Sequence, residues 1–555
     1  MAQQTALQPA DTSPAALPES SRRLPAGTLP RVDPWAAVWL LGLGLVAEVV
    51  IWWGFVQPYR LDQWYSVLAP YPVDLARISR STPESANAWA ATWLVLFAVL
   101  YIAYRRAPVR PTATYWAVLG LFMLLFSATL LLMQPVGAAD LFDQIFRGRI
   151  LGHYGANPFT VTPSAYPLDP LRYWVGGWAV TTSPYGPLWE LPAGLTSWLA
   201  GDDLWTNLLA FKGLVVLAYG LATLALAGTL RRLQPAWAAR GVLLFAWNPL
   251  VLFETPGNGH NDMLMIAFLA VACYLLARGG RWAVLAPAAL MAATLVKFVP
   301  ILLFPVLLLV LWLDDREPGL HRQRRLERIA VGLGLALLVA VAAYAPFWVG
   351  TRTIGALARQ DLFTASIPKV IVDYLNSVLA RPGMSAAQTA TLSAQVGQLV
   401  RTAAQWVVLI WVGVQSLWLV RAVRRGAGGA DLITAGFRAM YEVLFVYLMF
   451  ATLWFQPWYL QWLIILAPLT LSPTRVTRTF LFTLGGIANY FVWDFLWIWN
   501  KATFRTIQIT AAVAINAAPL LYTIYAALRP RAALPPTTIR SEDRDPGPHA
   551  GTLPA

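Results

Sequence analysis

The sequence is short of every residue that builds a thiol or metal centre. It has one cysteine, Cys273, inside an apolar run, which excludes an intrachain disulfide and a thiolate metal site. Its four histidines are scattered, which argues against a histidine-built metal centre. Charge is scarce too. Asp, Glu, Lys and Arg make up 12% of 555 residues, while 58% are hydrophobic. Soluble domains carry about 25% charge. The chain therefore reads as an all-α polytopic membrane protein. Lysine is nearly absent, with four in the whole chain, so the net charge of +14 is an arginine charge. These arginines sit in short segments between apolar runs. They read as topology markers and contacts with anionic membrane lipids, and a nucleic-acid partner is excluded. The 27 Trp and 20 Tyr suit the two membrane interfaces.

Residues 1–34 are rich in Pro, Ala, Ser and Thr and carry no apolar core. They are expected to form a disordered cytoplasmic tail and not a cleaved signal peptide, because the first apolar run is span-length. Residues 530–555 read the same way, which leaves 35–529 as one transmembrane domain.

About fourteen apolar runs lie between the tails, with a range of about 11–14 spans. They cover 36–56, 86–104, 114–134, 204–230, 237–254, 262–278, 282–296, 299–313, 329–349, 402–420, 431–455, 457–471, 479–499 and 505–527. Alternate connections hold Arg105/Arg106/Arg110, Arg231/Arg232/Arg240, Arg278/Arg281, Arg316 to Arg328, Arg421/Arg424/Arg425, Arg475/Arg478 and Arg529/Arg531. The positive-inside rule puts these in the cytoplasm, with both termini. The segments 57–85, 135–203, 255–261, 350–401 and 454–458 are then extracytoplasmic. Long connections on one face usually carry function. No internal repeat is visible, which weighs against an inverted-repeat transporter.

Six stretches on that face carry unusual chemistry. Asp140-Leu-Phe-Asp143-Gln-Ile-Phe-Arg147-Gly148-Arg149 follows directly on an apolar run. Asp140 and Asp143 share a helix face, and a carboxylate at the rim of a low-dielectric cavity can act as a general base. The plain alternative is an interfacial amphipathic helix. It would pair Asp143 with Arg147 and turn Leu141, Phe142, Ile145, Phe146 and Ile150 to lipid. Gly152-His-Tyr-Gly-Ala-Asn-Pro-Phe159 and Thr181-Thr-Ser-Pro-Tyr185-Gly-Pro-Leu-Trp189 are turns with hydrogen-bonding groups. Trp174, Trp178 and Trp189 are candidates to stack on sugars, against a default of interfacial anchoring.

Trp247-Asn-Pro249 leads into Glu254-Thr-Pro-Gly-Asn-Gly-His260-Asn261-Asp262, where Asn261 or Asp262 would cap the next helix. Lys297 interrupts an apolar stretch, with Pro300 three residues on, and a lone intramembrane cation calls for an anion. A snorkelling lysine at a hairpin tip is the plain alternative, and Lys212 is a weaker case. The last stretch, Trp454 to Trp462, is an aromatic belt by default and could line a sugar or prenyl groove.

Taken in order, these motifs resemble the GT-C superfamily of integral-membrane glycosyltransferases. Within it they are similar to polyprenol-phosphate-mannose-dependent α-1,6-mannosyltransferases of bacteria. The resemblance is strong over 114–320 and rests on span pattern over 320–530. It implies a GT-C-like fold in the bacterial plasma membrane and an outward-facing site. The donor would be a polyprenyl-phosphate sugar, with mannose the sugar, and the acceptor a glycan or glycolipid. The family's early outer-loop Asp maps to Asp140, eight residues before Gly148-Arg149. Where the family often has Tyr-x-Tyr after that Asp, this chain has Phe142 and Gln144, and Asp143 is the second carboxylate able to take the role.

Inverting transfer from a lipid phosphate needs a base for the acceptor hydroxyl and a cation for the departing phosphate. Asp140 is expected as the base. Asp143, Arg149, Tyr185, His260, Asp262 and Lys297 are expected to bind substrate, with Arg149 and Lys297 supplying positive charge. No cofactor is required. A divalent metal on Asp140 and Asp143 is compatible with the residues but not obligatory.

Two other readings compete. A secondary transporter or lipid-linked sugar flippase would place matched ionisable groups at mid-span, whereas Glu48, Lys212, Glu442 and Asp494 are scattered. A non-catalytic scaffold would not need the clustered Asp and Arg.

Overall fold

The computed structural model describes residues 33–64, 75–316, 321–354 and 363–529. The expectations for the two tails fall almost wholly outside these residues. Among the described residues the regular structure is helical, with only isolated β-bridges such as Arg60 to Met133. Among the described residues, nine helices are long and apolar enough to cross a membrane. The pair Pro235–Ala246 and Pro249–Gly257 is long and apolar enough when taken together, and is bent by 47°. That bend follows from Asn248-Pro249: the residue before a proline is driven out of the α region, and Asn248 instead caps the next turn through Leu250 N–H at 3.0 Å. The protein is an all-α polytopic membrane protein.

The other four apolar runs are helical but shorter or broken. Residues 262–278 form one helix, Asp262–Arg278. Residues 282–296 end at Thr294, and Val299–Leu313 is a further short apolar helix. Residues 457–471 break into Pro457–Leu460, Gln461–Leu466 and Ala467–Thr470. Prolines at 300, 457 and 468 interrupt the hydrogen-bond ladder in these segments.

The helix Asp140–Gly152 corrects an expectation. Leu141, Phe142, Ile145, Phe146 and Ile150 are all buried, so protein covers the side expected to turn to lipid. Two glycines explain this. A Cβ on Gly148 would lie 2.5 Å from the Ala193 carbonyl oxygen, and one on Gly152 would lie 2.0 Å from that of Gly194. The Gly-x-x-x-Gly spacing lets the helix touch the backbone of Pro187–Ala200, as small residues do between membrane helices. Phe142 is covered by Trp174, stacked at 5.7 Å.

Lys212 is explained without an external anion. Its ammonium donates to the carbonyls of Leu130, Leu131 and Met133 at 2.9, 2.9 and 2.7 Å. These close the C-terminal end of the helix Ala113–Leu131, where unsatisfied carbonyls carry partial negative charge. The cation therefore locks the helix end from which the chain turns into the Asp140 segment.

Candidate active site

Asp140 is placed by the glycine-rich segment that follows Trp247. Asn258 Oδ1 accepts from the backbone N–H of Val136 at 3.0 Å and Gly137 at 3.1 Å. Its amide nitrogen donates to Glu254 Oε2 at 2.9 Å, while Tyr490 donates its hydroxyl to Glu254 Oε1 at 2.7 Å. Gly137 has no room for a side chain, since a Cβ would meet Asn258 at 2.7 Å and the Tyr490 hydroxyl at 2.8 Å. Glu254 and Asn258 thus act as a brace that fixes Val136 and Gly137, just ahead of Asp140.

Tyr185 and Lys297 are brought together by a backbone splice. Gly186 N–H donates to Val296 O, and Leu188 N–H to Leu295 O, both at 3.0 Å. A Cβ on Gly186 would sit 2.0 Å from Leu295 O, so only glycine allows the approach. The Ser-Pro-Tyr-Gly-Pro turn is therefore docked on the break that holds Lys297. That break begins at Leu295, ahead of Pro300.

Lys297 Nζ donates to Asp262 Oδ2 at 2.6 Å, and Trp462 Nε1 donates to Asp262 Oδ1 at 2.7 Å. The ammonium also lies 4.9 Å from the ring centre of Tyr459, 5.8 Å from Tyr185 and 5.9 Å from Trp462. Aromatic faces attract a desolvated cation.

Asp140, Asp143, Arg147, Tyr185 and Lys297 line one cavity of about 660 Å³. Tyr185 lines the same wall as Asp140, and its hydroxyl accepts from Gln144 Nε2 at 3.4 Å. Burial pushes the Asp140 carboxyl above the ordinary range, with Asp262 adding to the rise and His260, Lys297 and the Tyr185 hydroxyl opposing it.

His260 and Asp262 do not line the cavity but stand behind it. His260 is buried, stacked on the cavity residue Trp458 at 3.9 Å, with Nε2 3.3 Å from Glu254 Oε2. Asp262 has no exposed side-chain surface and reaches the cavity through Lys297 and Trp462, which both line it. Asn261 is the N-cap residue of the following helix, yet its side chain makes no capping bond.

Arg149 is placed elsewhere. It donates to Asp169 Oδ2 at 2.7 and 2.9 Å, to Asp202 Oδ1 at 2.8 Å and to Gly201 O at 2.9 Å. Helical geometry gives the reason. Nine residues at about 100° each put Arg149 half a turn away from Asp140. Arg147, seven residues on, returns to the cavity face. It pairs with Asp143 at 2.7 Å and donates to Thr181 O at 3.0 Å and Thr181 Oγ1 at 3.1 Å.

Three features of the site were not assigned from sequence. Arg147 lines the cavity where Arg149 was expected. Arg401 and Gln405 also line it, from the long helix Ala386–Arg424. Two polar residues four apart at the head of an apolar run were the signal for them. Glu190 is fully buried behind Arg147, accepts from the Ser183 hydroxyl, and is pushed up to about 7 by burial. It ties the Pro187–Ala200 helix to the Tyr185 turn.

The arrangement offers a carboxylate of raised basicity, a tyrosine beside it and a caged ammonium on one wall. Among the described residues no group of three or more His, Cys, Asp or Glu is arranged to hold a metal ion. Asp143 is already engaged with Arg147.

Residues 39–313 match the family described as alpha-(1->6)-mannopyranosyltransferase, N-terminal domain. Among curated proteins, alpha-(1->6)-mannopyranosyltransferase A of Mycobacterium tuberculosis is 29% identical over 222 residues, 39% of this chain and 41% of the relative. Alpha-(1->6)-mannopyranosyltransferase A of Corynebacterium glutamicum is 26% identical over 153 residues, 26% of this chain and 29% of the relative. Alpha-(1->6)-mannopyranosyltransferase B of the same organism is 25% identical over 194 residues, 34% of this chain and 31% of the relative. The similarity spans less than half the length of each of these relatives.

Proposed function

We propose, from the match of residues 39–313 to the family described as alpha-(1->6)-mannopyranosyltransferase, N-terminal domain, that the protein transfers mannose from a polyprenyl-phosphate donor to a glycan or glycolipid acceptor. The transfer takes place on the extracytoplasmic face of the plasma membrane and inverts the sugar's anomeric carbon. The observation that carries this reading is the cavity wall that Asp140, Tyr185 and Lys297 line together, with the Lys297 ammonium 5.8 Å from the Tyr185 ring centre.

In the proposed reaction Asp140 takes the proton of the acceptor hydroxyl as that oxygen bonds to the anomeric carbon. The bond from that carbon to the phosphate oxygen breaks, and the lipid phosphate leaves. The donor is a phosphodiester with one negative charge, and the product monoester gains charge. A cation at the phosphate therefore stabilises the departing group more than the bound donor, which is the condition for lowering the barrier. Lys297 has three N–H donors and gives one to Asp262, so two remain for phosphate oxygens. The ammonium supplies the charge that a metal would otherwise supply.

The test is transfer of radiolabelled mannose by membranes containing the protein, with lipid-phosphate mannose and nucleotide-linked mannose as alternative donors. Label from the lipid donor should enter saccharide, and label from the nucleotide donor should not. Transfer from the nucleotide donor alone would overturn the reading.

The outward face is supported by the arginines. In the helix Asp262–Arg278 the arginine closes the end opposite Asp262, and Arg231 and Arg232 close the helix Leu204–Leu233. A cysteine at the exposed Ser164 should react with a membrane-impermeant thiol reagent on intact cells, and one at the exposed Ala430 should not. The native Cys273 is buried and gives no background. Labelling at Ala430 but not Ser164 would reverse the orientation.

A further inference from the structure

The cavity is longer than the catalytic wall. From Asp140 to Arg147 the helix rises over two turns, about 10 Å. A chain of contacts continues from there. Arg147 holds Thr181, Thr181 N–H donates to Trp178 O at 3.0 Å, and Trp178 meets Trp454 at 6.0 Å between ring centres with planes tilted by 56°. Both tryptophans line the cavity and both are only partly buried. They arrive from segments almost 300 residues apart, and each is fixed by its backbone. Thr364 N–H donates to Leu453 O at 3.0 Å and Phe455 N–H to Thr364 O at 3.1 Å, which clamps the chain on both sides of Trp454. Gln405 lines the same cavity and is exposed within it.

We propose that this far end is the acceptor subsite, with Trp178 and Trp454 forming the platform for an acceptor sugar ring and Gln405 a hydrogen-bonding partner for its hydroxyls. The inference rests on the transferase reading and deepens it. Inverting substitution requires the acceptor oxygen and the departing phosphate oxygen on opposite sides of the anomeric carbon. Lys297 marks the phosphate side, so the acceptor enters from the Arg147 side of Asp140. Aromatic faces set at an angle suit the C–H face of a pyranose, and they hold it without charge.

The two roles separate in kinetics. Trp178→Ala and Trp454→Ala should each raise the KM for an α-1,6-linked mannotriose acceptor about ten-fold, the scale of truncating an aromatic anchor. The KM for lipid-phosphate mannose should stay within about two-fold. The Phe variants should restore most of the acceptor affinity, and the residues' partial exposure limits the folding cost of the Ala variants.

A second measurement does not depend on turnover. Equilibrium dialysis of labelled mannotriose against the purified Asp140→Asn protein should show binding that either Trp→Ala change weakens about ten-fold. A rise in donor KM instead of acceptor KM overturns the proposal, as does mannotriose binding that is absent or indifferent to both tryptophans. If no mannose is transferred but both tryptophans still govern mannotriose binding, the transferase reading fails and the saccharide subsite stands.

Discussion

Asp140→Asn should lower turnover by about 10²–10⁴-fold, the usual cost of removing a general base, while the protein still inserts and folds. Asparagine keeps the size of the side chain and its hydrogen-bonding capacity, but it takes no proton at neutral pH. The pH profile gives an independent check. Burial raises the Asp140 carboxyl, and a raised group loses its basic form as pH falls through the raised value. The acid limb of kcat/KM should therefore lie above the ordinary aspartate value of about 4.

Asp143→Asn separates the two carboxylates. Asp143 is paired with Arg147, and both side chains are buried, at 6% and 1% exposure. Removing that charge leaves a buried guanidinium short of its partner, a change that costs about 3–5 kcal/mol. Asp143→Asn should therefore lower thermal stability in detergent, whereas Asp140→Asn should lower turnover with little change in stability. Near-normal turnover of purified Asp140→Asn with lipid-phosphate mannose would remove Asp140 from the chemistry.

What the sequence could and could not disclose follows from the range of each interaction. The apolar runs were legible because the membrane imposes a length on a helix whatever its neighbours are. Asp140, Tyr185 and Lys297 were legible as polar groups out of place. Arg149 was chosen over Arg147 because it completes the Gly148-Arg149 pair of the family resemblance, although helical periodicity put Arg147 on the Asp140 face and Arg149 opposite it. The burial of the Asp140 helix was misread because an amphipathic pattern does not say whether lipid or protein covers the apolar side. Gly148 and Gly152 held that information. The bracing role of Asn258 and Glu254 had no local signal. Their partners, Val136, Gly137 and Tyr490, lie more than 100 residues away in the chain.

Lys297→Met should abolish most transfer, with a loss of about 10²–10³-fold, the effect of deleting one preorganised group that stabilises developing charge. Methionine keeps the length of the stem and its packing among Tyr185, Tyr459 and Trp462. What it removes is the ammonium that stands within this aromatic cage. The single variant also leaves Asp262 buried, with Trp462 still donating to it but no counter-charge. Loss of activity alone would then confuse a missing phosphate partner with a destabilised protein.

Combining Lys297→Met with Asp262→Asn resolves this. The double variant removes both charges, so its thermal stability should recover relative to Lys297→Met, since a buried pair replaced as a unit costs far less than one member lost. Its turnover should not recover. Asp262→Asn alone keeps the ammonium in the cavity and should retain more activity than either Lys297 variant. Recovery of turnover in the double variant would mean that Lys297 serves only to neutralise Asp262, and the departing phosphate would need another cation, for which Arg147 is the nearest candidate on the Asp140 face.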